Sequence, residues 1–352
     1  MRGRWHVRLL PRWGEWPIIV SNNTRQGYAL RSTLKPAGYL FPGPEMEFSK
    51  PAKSLEEQLA LLESRGLIVD GTERALHYLR HLNYYRLTAY WLPFKAHQSP
   101  HRFRDGTRFD DVLNLYVFDR AFRLLLLDAI ERVEVSIRTA WAYHMAHRYG
   151  PHAYLDASHA RSTEMHARHL AKLEKEIARS DEVFIQHYNA KYARPETPPI
   201  WAVCEIMSLG SLSRWVTHMH PSDRDALARP YGLPQQVLRS FVRHLSYVRN
   251  VCAHHSRLWN RRLTVTMELP RRRPAALRGV TNPSAPRKIY NTLAMLGYLL
   301  DVISPDHHWR RHLGRIIARH EIDTRHMGFP NDWQGMAFWS TAVEAMQEEG
   351  AQ

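Results

Sequence analysis

From residue 54 onward, apolar side chains recur at spacings of three and four, the period of a helix with one buried face. Ser54, with Glu57 three residues on, has the form of a capping box ahead of Leu55, Leu59 and Leu62, and Gly66 supplies a stop. A second helix is predicted from Thr72 to about Leu82. The stretch 83–94 (NYYRLTAYWLPF) follows, and aromatics packed this densely with Leu87 and Leu92 read as core rather than as a base-stacking surface. Residues 100–109 form a turn-rich, basic connection. The spacing then predicts a long helix over 110–149, carried by Val112, Leu115, Phe118, Phe122, Leu125, Leu126, Ala129, Val133 and Ile137 and ended by Gly150 and Pro151. Further helices are expected at 162–180, 182–192, 200–219, 222–229, 234–259, 284–302 and 306–320, with a rigid break at 194–199 (RPETPP) and a loop at 268–288. An apolar anchor at 327–330 and Trp333 closes the series. Period-two alternation is almost absent and no internal repeat is visible, so the expected fold is an all-α, multi-helix bundle. Its expected parts are an N-terminal helical region at 46–105, a main helical domain at 106–340 and a tail at 341–352.

Residues 1–45 break this pattern. They hold Trp5, Trp13 and Trp16 without periodicity, and seven basic side chains against Glu15 and Glu45. They read as a poorly ordered basic extension, or as a mis-called start with Met46 the true initiator; the sharper alternative is an RNA-binding arm. The full chain has 352 residues and a formal charge of +15, and it stays strongly basic without this extension. That balance favours polyanionic partners, RNA among them. Hydrophobic residues make up 44%, enough for a sizeable core. Cys204 and Cys252 cannot build a disulfide framework or a four-cysteine zinc site, which fits a reducing compartment. No apolar run reaches membrane-spanning length and no signal peptide opens the chain, so a cytoplasmic protein is expected.

Chemistry concentrates at 245–262, LSYVRNVCAHHSRLWNRR, whose centre has the form R-N-x-x-x-H. On a helix, Asn250 and His254 share a face, while Arg249 lies about 140° round from His254 and reaches the same cleft through its length. His255 points elsewhere, and Arg257 adds charge one turn beyond His254. Cleaving RNA without a metal needs a group that moves protons at the 2′-OH or the 5′-oxygen, and a cation against the developing phosphorane charge. Histidine suits the first task and arginine the second. One histidine does not easily serve as both acid and base, so a second copy of the motif would complete the site. The plainer reading of the same residues is a buried Arg–Asn–His network inside a helix.

RNVCAHHSRLWNR resembles the signature of the Abi family, abortive-infection proteins of the AbiD/AbiF type within the HEPN superfamily of helical RNases. The resemblance extends in order through NYYRLTAYWLPF, FDDVLNLYVFDRAFRLLLLDAIERVEVSIRT, AYHMAHRYG, PPIWAVCEIMSLGSLSRW and the terminal MGFPNDW, from about Lys50 to Trp339. It implies a HEPN-like bundle and a metal-independent endoribonuclease of anti-phage defence that leaves a 2′,3′-cyclic phosphate and a 5′-OH. It also implies Arg249 and His254 as the catalytic pair, Asn250 as the polar residue after the arginine, a homodimer, and restraint by a non-coding RNA or a protein antitoxin. His255 also fits the superfamily's tolerated spacing, but His254 is preferred for the helical face it shares with Asn250. Arg138 and His144 also read R-x-x-x-x-x-H and would complete an intramolecular site if the chain held two HEPN-like halves. Thr139 departs from the usual residue there, and Glu134 four residues before Arg138 points to an ordinary helical ion pair.

Two rival readings remain. The pairs His144/His147, His166/His169, His254/His255 and His307/His308 invite a metal hydrolase, but no H-E-x-x-H and no zinc-type Cys/His spacing is present, so no metal or other cofactor is expected. The other rival is a catalytically inactive RNA-binding or toxin–antitoxin regulatory protein. The basic knot Arg271, Arg272 and Arg273 is a weak RNA-binding candidate, or a solvated loop.

Overall fold

In the computed structural model, which describes residues 50–97 and 101–351, the capping box at Ser54 forms. Its hydroxyl accepts from the Glu57 N–H at 3.1 Å, and the Glu57 carboxylate accepts from the Ser54 N–H at 2.7 Å. This box starts α1 (Leu55–Ser64), which α2 (Thr72–Leu82) and the single turn α3 (Tyr84–Leu87) follow. A short antiparallel hairpin, β1 (Lys95–His97) with β2 (Arg102–Phe103), occupies the turn-rich connection. The predicted long helix is α4 (Phe109–Tyr149), ended by Gly150 at φ 96°. Next come α5 (Thr163–Ala178), α6 (Val183–Lys191), α7 (Ile200–Ile206), α8 (Leu209–His218), α9 (Pro221–Ala228) and α10 (Gln235–Ala253). The last three are α11 (Tyr290–Ile303), α12 (Trp309–Arg319) and α13 (Ser340–Gly350). The fold is all-α, and the expected basic extension at 1–45 lies outside the described residues.

The long helix is the spine, and α7, α9, α10, α11 and α12 all pack on it. Of the apolar positions that predicted it, Val112, Phe118, Phe122, Leu126, Ala129, Val133 and Ile137 are fully buried, and Leu125 is partly buried. Beside it, α11 is buried all round from Tyr290 to Leu300, as expected of a helix apolar on every face. Its two polar intruders are satisfied. Asn291 pairs with the backbone of Asn282, and Thr292 with the ring of His244, which removes the cost of burying them. In the aromatic stretch, Tyr90 and Trp91 are core as expected, whereas Tyr85 is exposed.

Four expectations change. The helix expected at 200–219 is two helices, because the Ser208 hydroxyl accepts from the Ser211 N–H at 3.2 Å and starts α8 afresh. The helix expected at 234–259 ends at Ala253. Residues 341–352, expected as a tail, supply most of α13, which lies along α12. The N-terminal helical region expected at 46–105 is not set apart from the main domain over residues 53–105, which belong to the same compact unit as the helices that follow. Among the described residues no helix is long and apolar enough to cross a membrane.

Candidate functional site

The R-N-x-x-x-H segment sits at the C-terminal end of α10. Val237, Leu238, Phe241, Val242, Leu245, Val248 and Cys252 bury one face of that helix. Arg249 is consequently half-buried at the edge of this face and Asn250 is exposed on the other side. His254 is the capping residue. Its N–H still bonds the Asn250 carbonyl at 3.0 Å, so the one-turn relation between Asn250 and His254 survives the end of the helix. The chain then turns through His255 at φ 55°. The His255 N–H bonds the Cys252 carbonyl and the Ser256 N–H bonds the Val251 carbonyl, each at 3.0 Å. This is the Schellman pattern, with histidine in the left-handed position where glycine is usual.

Buried polar groups hold the turn in place. Asp119 of α4 is fully buried and accepts from the Trp259 N–H at 2.6 Å, the Leu258 N–H at 3.1 Å and the Tyr90 hydroxyl at 2.7 Å. It also forms an ion pair with buried Arg123. Burial and the Asp119 charge push the Tyr90 phenol up, so it stays a hydrogen-bond donor. Arg86 donates to the His255 carbonyl at 2.8 Å. Arg257, nominated as extra charge, is half-buried instead and donates to the Ala89 carbonyl at 3.1 Å; burial lowers its pKa from the usual arginine range. Its visible role is to brace the turn. Loss of the Asp119 carboxylate would strand two buried N–H groups and a buried guanidinium, a change that typically costs ~3–5 kcal/mol.

The functional side chains face outward from this brace. Arg249 donates one hydrogen bond, to the Asn250 side-chain oxygen at 3.3 Å, and among the described residues its fork makes no ion pair. His254 is exposed, and among the described residues its ring has no hydrogen-bond or ion-pair partner. His255 is exposed too, on the far side of the left-handed turn.

Arg138 and His144 are not brought together. Each has its own structural partners. Arg138 pairs with Glu134 at 2.7 Å and Glu205 at 3.5 Å and donates to the Met207 carbonyl at 2.9 Å, with its side chain only 11% exposed. His144 Nε2 lies 2.8 Å from buried Asp223, which Tyr149 and Arg148 also contact. Glu134 is the residue that sequence reasoning undervalued. It forms the expected ion pair, but it also lies in the field of Arg249, linking α4 to the α10 turn. Burial raises its pKa, while Arg138 and Arg249 pull it down. Arg271, Arg272 and Arg273 are exposed in the loop before α11.

Two of the remaining histidines have structural partners. His166 Nε2 meets the Tyr154 carbonyl at 2.9 Å, and His307 meets Asp301 at 3.0 Å. Among the described residues, no three His, Cys, Asp or Glu side chains gather as a metal site would require.

In comparisons with known proteins, neither the curated proteins nor the solved structures contain a match. A family model described as Abi-like protein matches residues 77–260. The matched span runs from α2 through the whole of α4 to the braced turn that carries Arg249 and His254, and leaves the terminal MGFPNDW outside. With more than half of its length matched, the chain belongs to the Abi-like protein family.

Proposed function

We propose that this chain is a metal-independent endoribonuclease of the HEPN type, of the AbiD/AbiF kind, acting in bacterial abortive infection. The observation that carries the reading is the braced turn at the end of α10. Arg249, Asn250 and His254 stand within six consecutive residues on an anchored backbone, with the His254 ring and most of the Arg249 fork unpaired among the described residues. A helix that used these residues for its own packing would have buried and paired them.

In the proposed reaction the 2′-oxygen attacks the adjacent phosphorus, the bond to the 5′-oxygen breaks, and the products are a 2′,3′-cyclic phosphate and a 5′-OH. His254 moves the proton at one of these oxygens. Arg249 meets the charge that builds on the non-bridging oxygens, and Asn250 orients His254 or the phosphate. The second proton transfer falls to His254 of another copy in a homodimer, because Arg138 and His144 are held apart in ion pairs of their own. A non-coding RNA or a protein antitoxin would restrain the enzyme. No cofactor has a part in this chemistry.

The test is cleavage of RNA by the purified full chain in EDTA. Activity should persist in EDTA and fall by ~10²–10³-fold in Arg249→Ala and ~10²–10⁴-fold in His254→Ala. A 2′-deoxy substitution at the scissile nucleotide should block cleavage, because the nucleophile is gone. Activity lost in EDTA would point to a metal enzyme, and activity unchanged from wild type in both variants would sink the proposed site; a wild type that cleaves no RNA would leave a non-catalytic RNA-binding or toxin–antitoxin regulatory role.

A further inference from the structure

A second surface has the composition of a nucleic-acid site and lies outside the α10 turn. Between α6 and α7 runs an open groove of about 630 Å³, whose lining includes Phe184, Tyr188, Tyr192, Trp201, His187 and Arg194. Its aromatic rings are unusually bare: Trp201 is 56% exposed, Tyr192 47% and Phe184 40%. Tyr188 and Tyr192 lie with ring centroids 5.0 Å apart, and the Lys191 ammonium stands 5.4 Å from the Tyr192 ring. Helix α6 buries one side chain, Ile185. Its aromatics therefore contribute little to the core, and a helix that leaves them in water asks for an occupant.

The groove also connects to α4. Glu205 lines it and pairs with Arg138 at 3.5 Å; Arg138 pairs with Glu134 at 2.7 Å; and Glu134 lies in the field of Arg249. A run of paired side chains on α7 and α4 thus leads from the aromatic groove as far as Glu134. Glu205 is the one carboxylate among the lining residues and lies 3.5 Å from Arg138, which it shares with Glu134; Arg194 in the lining and Lys191 beside Tyr192 are positive.

We propose that the groove lined by Trp201, Tyr192, Tyr188 and Phe184 is the binding track for single-stranded RNA, stacking unpaired bases while Arg194 and Lys191 hold the phosphates. This rests on the reading that the chain acts on RNA, and it adds where the strand lies. Aromatic faces flanked by cations suit bases and phosphates, because every base offers a π-face whatever its sequence. Bases paired in a duplex have no free faces for such a platform. The track therefore selects loops and unpaired stretches, and its sequence preference is weak.

The test uses the full chain and a fluorescent 2′-O-methyl oligoadenylate of about twelve nucleotides, within the ~4–16-nucleotide range of known stacking sites. This probe keeps the base faces and lacks the free 2′-OH, so it is not consumed. Trp201→Ala should weaken binding by about 5- to 150-fold, the worth of one stacked base, and Trp201→Phe should restore most of it. A duplex of the same length should compete poorly. Thermal unfolding of both variants should match the wild type, since Trp201 is mostly in water. Wild-type affinity in Trp201→Ala overturns the proposal, as does failure of the wild type to bind the probe. A changed oligomeric state with unchanged RNA affinity also overturns it, and would make the groove a protein contact. The two readings fail separately. Trp201-dependent binding without any RNA cleavage leaves the track standing and removes the nuclease. Arg249-dependent cleavage with normal probe binding by Trp201→Ala does the reverse.

Discussion

His255 occupies the left-handed backbone region, where a residue with a Cβ pays on the order of 1–3 kcal/mol in strain. Glycine takes the same conformation without that strain, at the cost of more freedom in the unfolded chain. His255→Gly should accordingly leave stability unchanged or raise it by up to ~1 kcal/mol. The variant also separates two adjacent histidines that spacing alone leaves level. Cleavage should be retained in His255→Gly and lost in His254→Ala, measured on the same RNA with the same purified preparations. An inactive but well-folded His255→Gly would move the proton transfer to His255. The neighbouring Arg257 shows how position outweighs residue type. In the sequence it reads as free charge near a phosphate, whereas in the fold its guanidinium is committed to the Ala89 carbonyl. Nothing within a few residues of Arg257 signals that commitment, because its partner is 168 positions away.

Among the elements, α12 and α13 approach closely at Gly314. A Cβ on Gly314 would stand 2.1 Å from the Ala342 carbonyl oxygen, a backbone atom with little room to yield. Gly314→Ala should therefore destabilise the fold by ~1–3 kcal/mol through overpacking, despite alanine's better helix propensity. Gly335→Ala, whose Cβ would meet open space, is the control and should unfold with the wild type in a thermal melt. Equal melting of Gly314→Ala would mean that α13 does not dock as closely as described. This contact also explains what was legible in advance. The long helix α4 could be read almost to the residue, because forty positions of regular period and a Gly-Pro stop are local signals. The end of α10 could not, because it is set by Asp119, about 140 positions upstream, and by a histidine doing the work of glycine. The break before α8 contains no Gly or Pro, only the serine that caps it. The R-N-x-x-x-H spacing was readable because its members share one turn. The α6–α7 groove was not, because its aromatics are scattered from Phe184 to Trp201 and meet only when the two helices pack.

Across the whole molecule, three buried histidines set a common acid limit. His169, His244 and His320 sit in different parts of the core, and burial presses each down to about 4. His244 is held neutral between the Val265 carbonyl and the Thr292 hydroxyl, both at 2.7 Å. His320 lies 2.6 Å from the Asn114 side-chain oxygen. The rings of His166, His169 and His218 and the indoles of Trp141 and Trp215 line a small cavity of about 20 Å³, room for a single water. Both His169 ring nitrogens are buried without a protein partner. In the unfolded chain each histidine takes up a proton near pH 6.5, whereas in the fold it resists until about pH 4. Between those values the unfolded state binds more protons, so stability is full above about pH 6.5 and falls as the pH drops toward 4. Each histidine contributes up to ~1.4 kcal/mol per pH unit within that window. Asp323 and Glu348, held by Arg325 and Arg311, are shifted below their ordinary values and lose their contribution only at more acidic pH. Glu134 is raised by burial and works in the opposite direction, but it is one group against three. Growing repulsion on a chain already at +15 adds to the loss. The melting temperature should therefore decline steadily from pH 6.5 to 4.5 at constant ionic strength. His244→Gln, which keeps a polar side chain but cannot titrate, should lower stability at neutral pH and flatten that slope. A melting temperature constant over this range would show that the three rings exchange protons with solvent in the folded state, and that the core is less closed than its packing indicates.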